Sequence, residues 1–147
     1  MERVMFVCKK NSRRSQMAEG FARALGGKAV QVASAGLEAS FVDPLTVQVM
    51  QEVGIDIRQQ TSKPLHAFQP EDFDAVISLC GCGVNLPPEW LTRPYFADWQ
   101  LEDPEGGDLD TFRRVRDQVR ARVTAFLRER GCLAEGRDDT LHQAREI

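Results

Sequence analysis

The sequence predicts an α/β domain built on a parallel sheet, and three observations carry that reading. Four short strand-like runs, at residues 4–7, 29–33, 74–79 and 93–97, alternate with amphipathic helical stretches. Alternation of this kind implies parallel strands joined by crossover connections. The helical stretches also carry start and stop signals, with Asp43-Pro44 opening one and Gly26-Gly27, Gly54 or Gly131 ending them. Finally, 147 residues with 42% hydrophobic content suit a single core. That core is expected over residues 1–131, leaving a polar tail at 132–147 that is either frayed or weakly helical.

The elements follow in order. Val4-Met5-Phe6-Val7 is short, apolar and β-branched at both ends, so it reads as a buried strand. Met17, Ala18, Phe21, Ala22 and Leu25 then mark one face of a helix over residues 15–25. A second strand alternates through residues 29–33 and ends at Gly36. Asp43 caps a second helix with Pro44 at its first position, running to about residue 53. Residues 59–70 hold two prolines and read as loop with at most a helical turn. The third strand, 74–79, is apolar enough for the centre of a parallel sheet. Residues 84–92 are expected to be loop and 93–97 a short fourth strand. After an acidic loop at 98–108, Phe112, Val115, Val119, Val123, Phe126 and Leu127 define the longest helix, 109–130.

Composition narrows the partners. A net charge of −3 gives no reason to expect nucleic acid or an anionic membrane. No apolar run is long enough to span a bilayer, and the chain opens on a strand rather than a signal peptide. A cytoplasmic location is therefore expected. Four cysteines in such a chain point to reduced thiols with catalytic or metal use.

The chemistry concentrates at Cys8-Lys9-Lys10-Asn11-Ser12-Arg13-Arg14-Ser15. A loop between a strand and a helix aims backbone N–H groups and the positive helix end into one concavity, which suits a tetrahedral oxyanion. Arg14 adds a bidentate fork. The same field is expected to lower the pKa of Cys8, whose thiolate would be the nucleophile. The Ser15 hydroxyl is placed to donate to it. Asn11 tolerates a left-handed backbone, and Lys9, Lys10 and Arg13 make the rim basic. Alternatively, Cys8 is a core cysteine at a strand end and the basic residues are simply solvated.

Ligands of open parallel sheets bind beyond the carboxyl ends of the strands. Cys8, Cys80 and the 98–103 loop all follow strand ends, so they should converge. Asp103, before Pro104, is either the acid that protonates an oxygen leaving group or the cap of a turn. Cys80-Gly81-Cys82-Gly83 places two thiols in a glycine-flanked segment. Its one-residue spacing and the want of a second Cys/His pair argue against zinc, so no metal is expected. A thiol relay from Cys8 suits it better. A bridge between thiols one residue apart closes a small strained ring, and strained exposed disulfides are labile. Cys132, His66 and His142 receive no role.

These residues resemble the arsenate reductases built on the low-molecular-weight protein tyrosine phosphatase fold. The likeness rests on the Cys8–Ser15 loop with Asn11, Gln16-Met17-Ala18-Glu19-Gly20, Ser34-Ala35-Gly36, Gly54-Ile55-Asp56 with Gln60-Thr61-Ser62, Cys80 and Asp103-Pro104. The resemblance implies a three-layer domain, a four-stranded parallel sheet flanked by helices. It implies Cys8 as nucleophile, Arg14 as oxyanion clamp, Asp103 as general acid and Cys80 as resolving thiol. Lys10 stands where relatives usually have glycine. Pro87 stands where the thioredoxin-using relatives carry a further cysteine, while the extra thiol here is Cys82. That pattern resembles the branch using glutathione and glutaredoxin, so glutathione is the expected reductant, with no bound cofactor. The aromatic pair that phosphatases place near Asp-Pro is absent, and Glu102 and Glu105 flank the motif instead. Some relatives hold potassium near the loop, and here Lys63 either takes its place beside Asn11, Glu19 and Ser34 or is a solvated lysine. A weak phosphatase side activity is expected beside the reduction; the alternative activities are a phosphatase working through a phosphocysteine on Cys8, with no second thiol, and a non-catalytic anion-binding or redox-sensing module.

Overall fold

A computed structural model describes residues 1–81 and 85–134. Four strands, β1 (Glu2–Cys8), β2 (Val30–Gly36), β3 (Ala75–Ser78) and β4 (Tyr95–Asp98), form one sheet in the order β2-β1-β3-β4. Every pairing is parallel, with Cys8 level with Gly36 and Val7 level with Ser78. All strands therefore end on the same edge.

Alternation along β1 divides the core. Val4 and Phe6 face a thick helical layer made by α1 (Arg14–Gly26), α2 (Pro44–Glu52) and α4 (Leu109–Glu129). Met5 and Val7 face a thinner layer of Leu65, Phe73, Leu86 and Trp90. That second layer is built from single turns at Leu65–Ala67 and Pro70–Asp72 and from the four-residue α3 (Pro88–Leu91). The sequence reading had only loop over 84–92. Pro88 supplies a preset first helical position, and burial of Trp90 holds the turn.

The cap of α2 is as read from the sequence, and α4 has one that the sequence reading did not assign. Asp43 accepts from the Leu45 amide ahead of α2, and Asp108 accepts from the Thr111 amide ahead of α4. At α1 the N-cap is Arg13 and no side chain caps it. Its first amides remain directed at the strand edge. β4 starts at Tyr95 rather than residue 93. At the far end, Ala134 donates to the Leu25 carbonyl and Cys132 is buried, so residues 132–134 pack on the core. The rest of the expected tail, 135–147, lies outside the described residues.

Candidate active site

The anion loop leaves β1 at Cys8 and enters α1 at Arg14. Asn11 turns it with φ +52°, alone among the described non-glycine residues in having positive φ. Its side chain is fully buried and points away from the loop's concave face. Nδ2 donates to Ser15 Oγ at 2.8 Å and Ser34 Oγ at 2.9 Å, and Oδ1 accepts from the Lys63 amide at 2.9 Å. Ser34 in turn donates to Glu19, so Asn11 is scaffolding for the loop. Gln16 holds it from below, donating to the Asn11 carbonyl and to Thr61.

Cys8, Lys9, Lys10, Ser12, Arg13, Arg14, Asp103 and Glu105 enclose a cavity of about 100 Å³. Cys8 is 4% exposed and Arg14 6%, so both lie at its floor. Arg14 Nη1 donates to the carbonyls of Leu101 at 2.8 Å and Leu79 at 3.2 Å. Its Nη2 lies 3.5 Å from Asp103 Oδ2, and its Nε is buried without a partner. The Nε–Nη2 edge is the one a guanidinium uses to grip two oxygens side by side. Ser12 Oγ, on the same cavity, is likewise buried and unpartnered. Two orphan buried donors in one small basic cavity mark where an oxyanion would satisfy them.

Burial is the strongest influence on Cys8 and pushes its thiol up from the ordinary value. The Arg14 charge and the amides of Lys9 and Ser15 pull it down, while Asp103 pushes it up. This corrects the expected lowering. The sequence reading counted the donors around the sulfur but not its depth. Ser15 brings its backbone amide to Cys8, while its hydroxyl accepts from Asn11.

Arg13 lines the cavity near its mouth, with Nε donating to Asp43 at 2.9 Å and Nη2 to Glu105 at 3.4 Å. Lys10 reaches Glu105 at 3.7 Å. Asp103 caps the turn and also borders the cavity. Its Oδ1 accepts from the Glu105 amide at 3.0 Å, while Oδ2 faces Arg14.

Cys80 lies two residues past the end of β3, and Arg14 holds the carbonyl of its neighbour Leu79. It is disulfide-bonded, whereas Cys8 and Cys132 are free thiols. Buried Ser78 has its hydroxyl 3.7 Å from Cys80 Sγ. Cys82 lies outside the described residues. Lys63 Nζ donates to the Thr61 carbonyl and stands 4.0 Å from Glu19 Oε1. Desolvation lowers its pKa, opposed by Glu19. No group of three or more His, Cys, Asp or Glu is placed to hold a metal among the described residues, nor is any of their helices long and apolar enough to cross a membrane.

Sequence reasoning missed Glu105 as part of the mouth, Asp43 as the partner of Arg13, and the carbonyls that anchor Arg14. Backbone carbonyls leave no trace in a residue pattern, but the pairing of an acidic Asp-Pro-Glu turn with a basic loop was there to be considered.

Comparison with known proteins bears on this arrangement. The model of the family described as low molecular weight phosphotyrosine protein phosphatase matches residues 3–133. A glutaredoxin arsenate reductase from Synechocystis sp. is 62% identical over 123 residues, covering 84% of this chain and 94% of its own. An arsenate reductase from Brevibacillus brevis is 39% identical, covering 84% and 92%. A solved arsenate reductase in the phosphate binding state superposes with a TM-score of 0.84 at 59% identity, covering 88% of this chain and 98% of that one. An Erwinia amylovora tyrosine phosphatase, at 19% identity and a TM-score of 0.77, shares the fold. The family match spans nearly all the described residues, and it leads to one assignment: the chain belongs to the low molecular weight phosphotyrosine protein phosphatase family.

Proposed function

We propose that this chain reduces arsenate to arsenite by a cysteine relay, with glutathione and glutaredoxin restoring the thiols. The observation that carries the reading is the small basic cavity over Cys8, joined through Arg14 to the strand end that leads to a second, disulfide-bonded cysteine. The loop amides, Ser12 and the Nε–Nη2 edge of Arg14 hold the oxyanion, and Lys9 and Lys10 attract it. Cys8 Sγ attacks arsenic(V), and one oxygen leaves as water. Because burial favours the protonated thiol, the proton released by Cys8 is the one that ends on the leaving oxygen, with Asp103 Oδ2 as its carrier. Cys80 then attacks Cys8 Sγ. The S–As bond breaks, its electron pair stays on arsenic, and arsenite departs from a Cys8–Cys80 disulfide. Cys82 exchanges with that bridge and frees Cys8. The free Cys8 and bonded Cys80 of this structure fit the resting point after that exchange. Two equivalents of glutathione close the cycle, glutaredoxin clearing the mixed disulfide. The name of the Synechocystis relative supports this donor.

A phosphatase would need Cys8, Arg14 and Asp103 alone, and the second thiol would be idle. Arsenate turnover by the unmodified chain, Cys80→Ser and Cys82→Ser, with each donor supplied alone, separates the readings. Both variants should lose steady-state reduction, and thioredoxin alone should support little. Full activity of Cys80→Ser would refute the relay, and full activity of Cys82→Ser with glutathione and glutaredoxin would remove Cys82 from it.

A further inference from the structure

Resting on the reading that Cys8 attacks a bound oxyanion, we propose that Glu105 restricts this site to bare tetrahedral oxyanions and excludes their esters. Its carboxylate crosses the mouth of the cavity. Oε2 lies 3.7 Å from Lys10 Nζ on the anion loop and 3.4 Å from Arg13 Nη2 at the start of α1. The floor and the mouth are distinct in depth. Cys8 and Arg14 are nearly fully buried, whereas the Lys10 and Glu105 side chains are 40% and 48% exposed. The strap thus joins the β4–α4 loop to the β1–α1 loop across the basic cavity that holds buried Cys8.

Its position follows the path of the leaving group. An oxyanion gripped by the loop sends its fourth oxygen toward Asp103, the carboxylate beside Arg14. In arsenate that oxygen carries at most a proton. In an ester it carries a carbon substituent, which has to continue past Asp103 toward the rim. Glu105 is two residues on, and its amide is bonded to Asp103 Oδ1 at 3.0 Å, so its backbone is fixed relative to that path and the pairs with Lys10 and Arg13 aim its carboxylate. A substituent would have to displace the carboxylate from both cations. The cavity of about 100 Å³ is also well below the roughly 300 Å³ at which pockets for larger organic molecules begin. Because Lys10 and Arg13 offset the charge of Glu105, a small anion still enters. The strap rejects by bulk and by the ion pairs that have to be broken, not by net repulsion.

The test compares the unmodified chain with Glu105→Ala and Glu105→Gln. Two ratios are read: kcat/KM for p-nitrophenyl phosphate hydrolysis against that for arsenate reduction, and inhibition of arsenate reduction by phenylphosphonate against inorganic phosphate. The second ratio needs no ester turnover. Both should shift toward the substituted ligand by about tenfold in Glu105→Ala, the scale of two weak, partly exposed ion pairs. They should shift less in Glu105→Gln, which keeps the bulk and loses the pairs. Thermal unfolding confirms that each variant is folded. Unchanged ratios in folded Glu105→Ala, or equal gains for bare and substituted ligands, overturn the proposal. Cys8→Ser is the separate control: arsenate reduction surviving it defeats the reading of Cys8, whereas its loss beside unchanged Glu105→Ala ratios defeats the strap alone.

Discussion

Replacing Gly36 with alanine is expected to disable the site without replacing any residue of the cavity. A Cβ there would lie 2.4 Å from the Glu38 carbonyl oxygen and 2.8 Å from both the Asn11 nitrogen and the Lys10 carbonyl carbon. All three are backbone atoms, so no side chain can swing aside. The end of β2 cannot retreat either, because Gly36 donates to the Lys63 carbonyl and Leu37 to the Cys8 carbonyl. Regaining ordinary contact at 3.4 Å requires the anion loop or its neighbour to move by about 0.6–1 Å. Overpacking of this kind costs about 1–3 kcal/mol. At this chain length that lowers Tm by roughly 3–12 °C. The effect on function should be larger, since a misplacement near 1 Å can cost about 10²-fold in rate. The assay is thermal unfolding in a phosphate titration, because a ligand that binds only the folded state raises Tm with concentration. Gly36→Ala should lose most of that rise. Gly54→Ala is the matched control: its φ of +81° strains an alanine, but nothing lies within 4 Å of the new atom. It should cost stability by about 1–2 kcal/mol and keep the phosphate response. A Gly36→Ala protein that phosphate stabilises as well as the unmodified chain would refute the reasoning.

Three further outcomes are expected. Asp103→Asn should slow single-turnover attack by roughly 10²–10⁴-fold while leaving phosphate binding in place, and an unchanged rate would leave Asp103 with its turn alone. Alkylation of Cys8, in a protein with the other cysteines replaced, should gain speed only above the ordinary thiol range. The folded value is raised, so the stability it contributes is complete below the unfolded pKa and fades as pH rises through the folded one; Cys8→Ser should therefore flatten the alkaline loss of stability, and a thiol reacting fully at neutral pH would contradict the burial argument. Exchanging sodium for potassium chloride at one ionic strength should leave Tm and arsenate KM alike, because the Lys63 ammonium already stands near Glu19; a potassium-specific rise would dismiss that role.

The alternation of elements was legible because periodicity is a local property. Each apolar stripe, from Val4–Val7 to Phe112–Leu127, appears in the core as read. Boundaries slipped where propensity and pairing differ. β4 begins at Tyr95, just past Pro94, which lacks the amide that a ladder needs. Single-turn α3 is too short for a period to register. Within the site, Cys8, Arg14 and Asp103 converge because their strands are parallel, which the alternation implied. Whether Cys8 titrates high or low depends on depth, and depth is set by the whole layer above it. The partner of Arg13 was not legible either, because Asp43 lies 30 residues on and comes within reach only through the fold.

The anchoring of Arg14 has a consequence for how this chain can change over generations. One guanidinium nitrogen is committed to the carbonyls of Leu79 and Leu101, from two separate segments, while the opposite edge faces the cavity. Lysine, with a single ammonium, cannot serve both faces at once. Tuning ligand affinity at this position therefore also disturbs the segment leading into Cys80 and the approach to Asp103. Drift toward a new substrate is open instead at the rim, where the Lys10 and Glu105 side chains are 40% and 48% exposed.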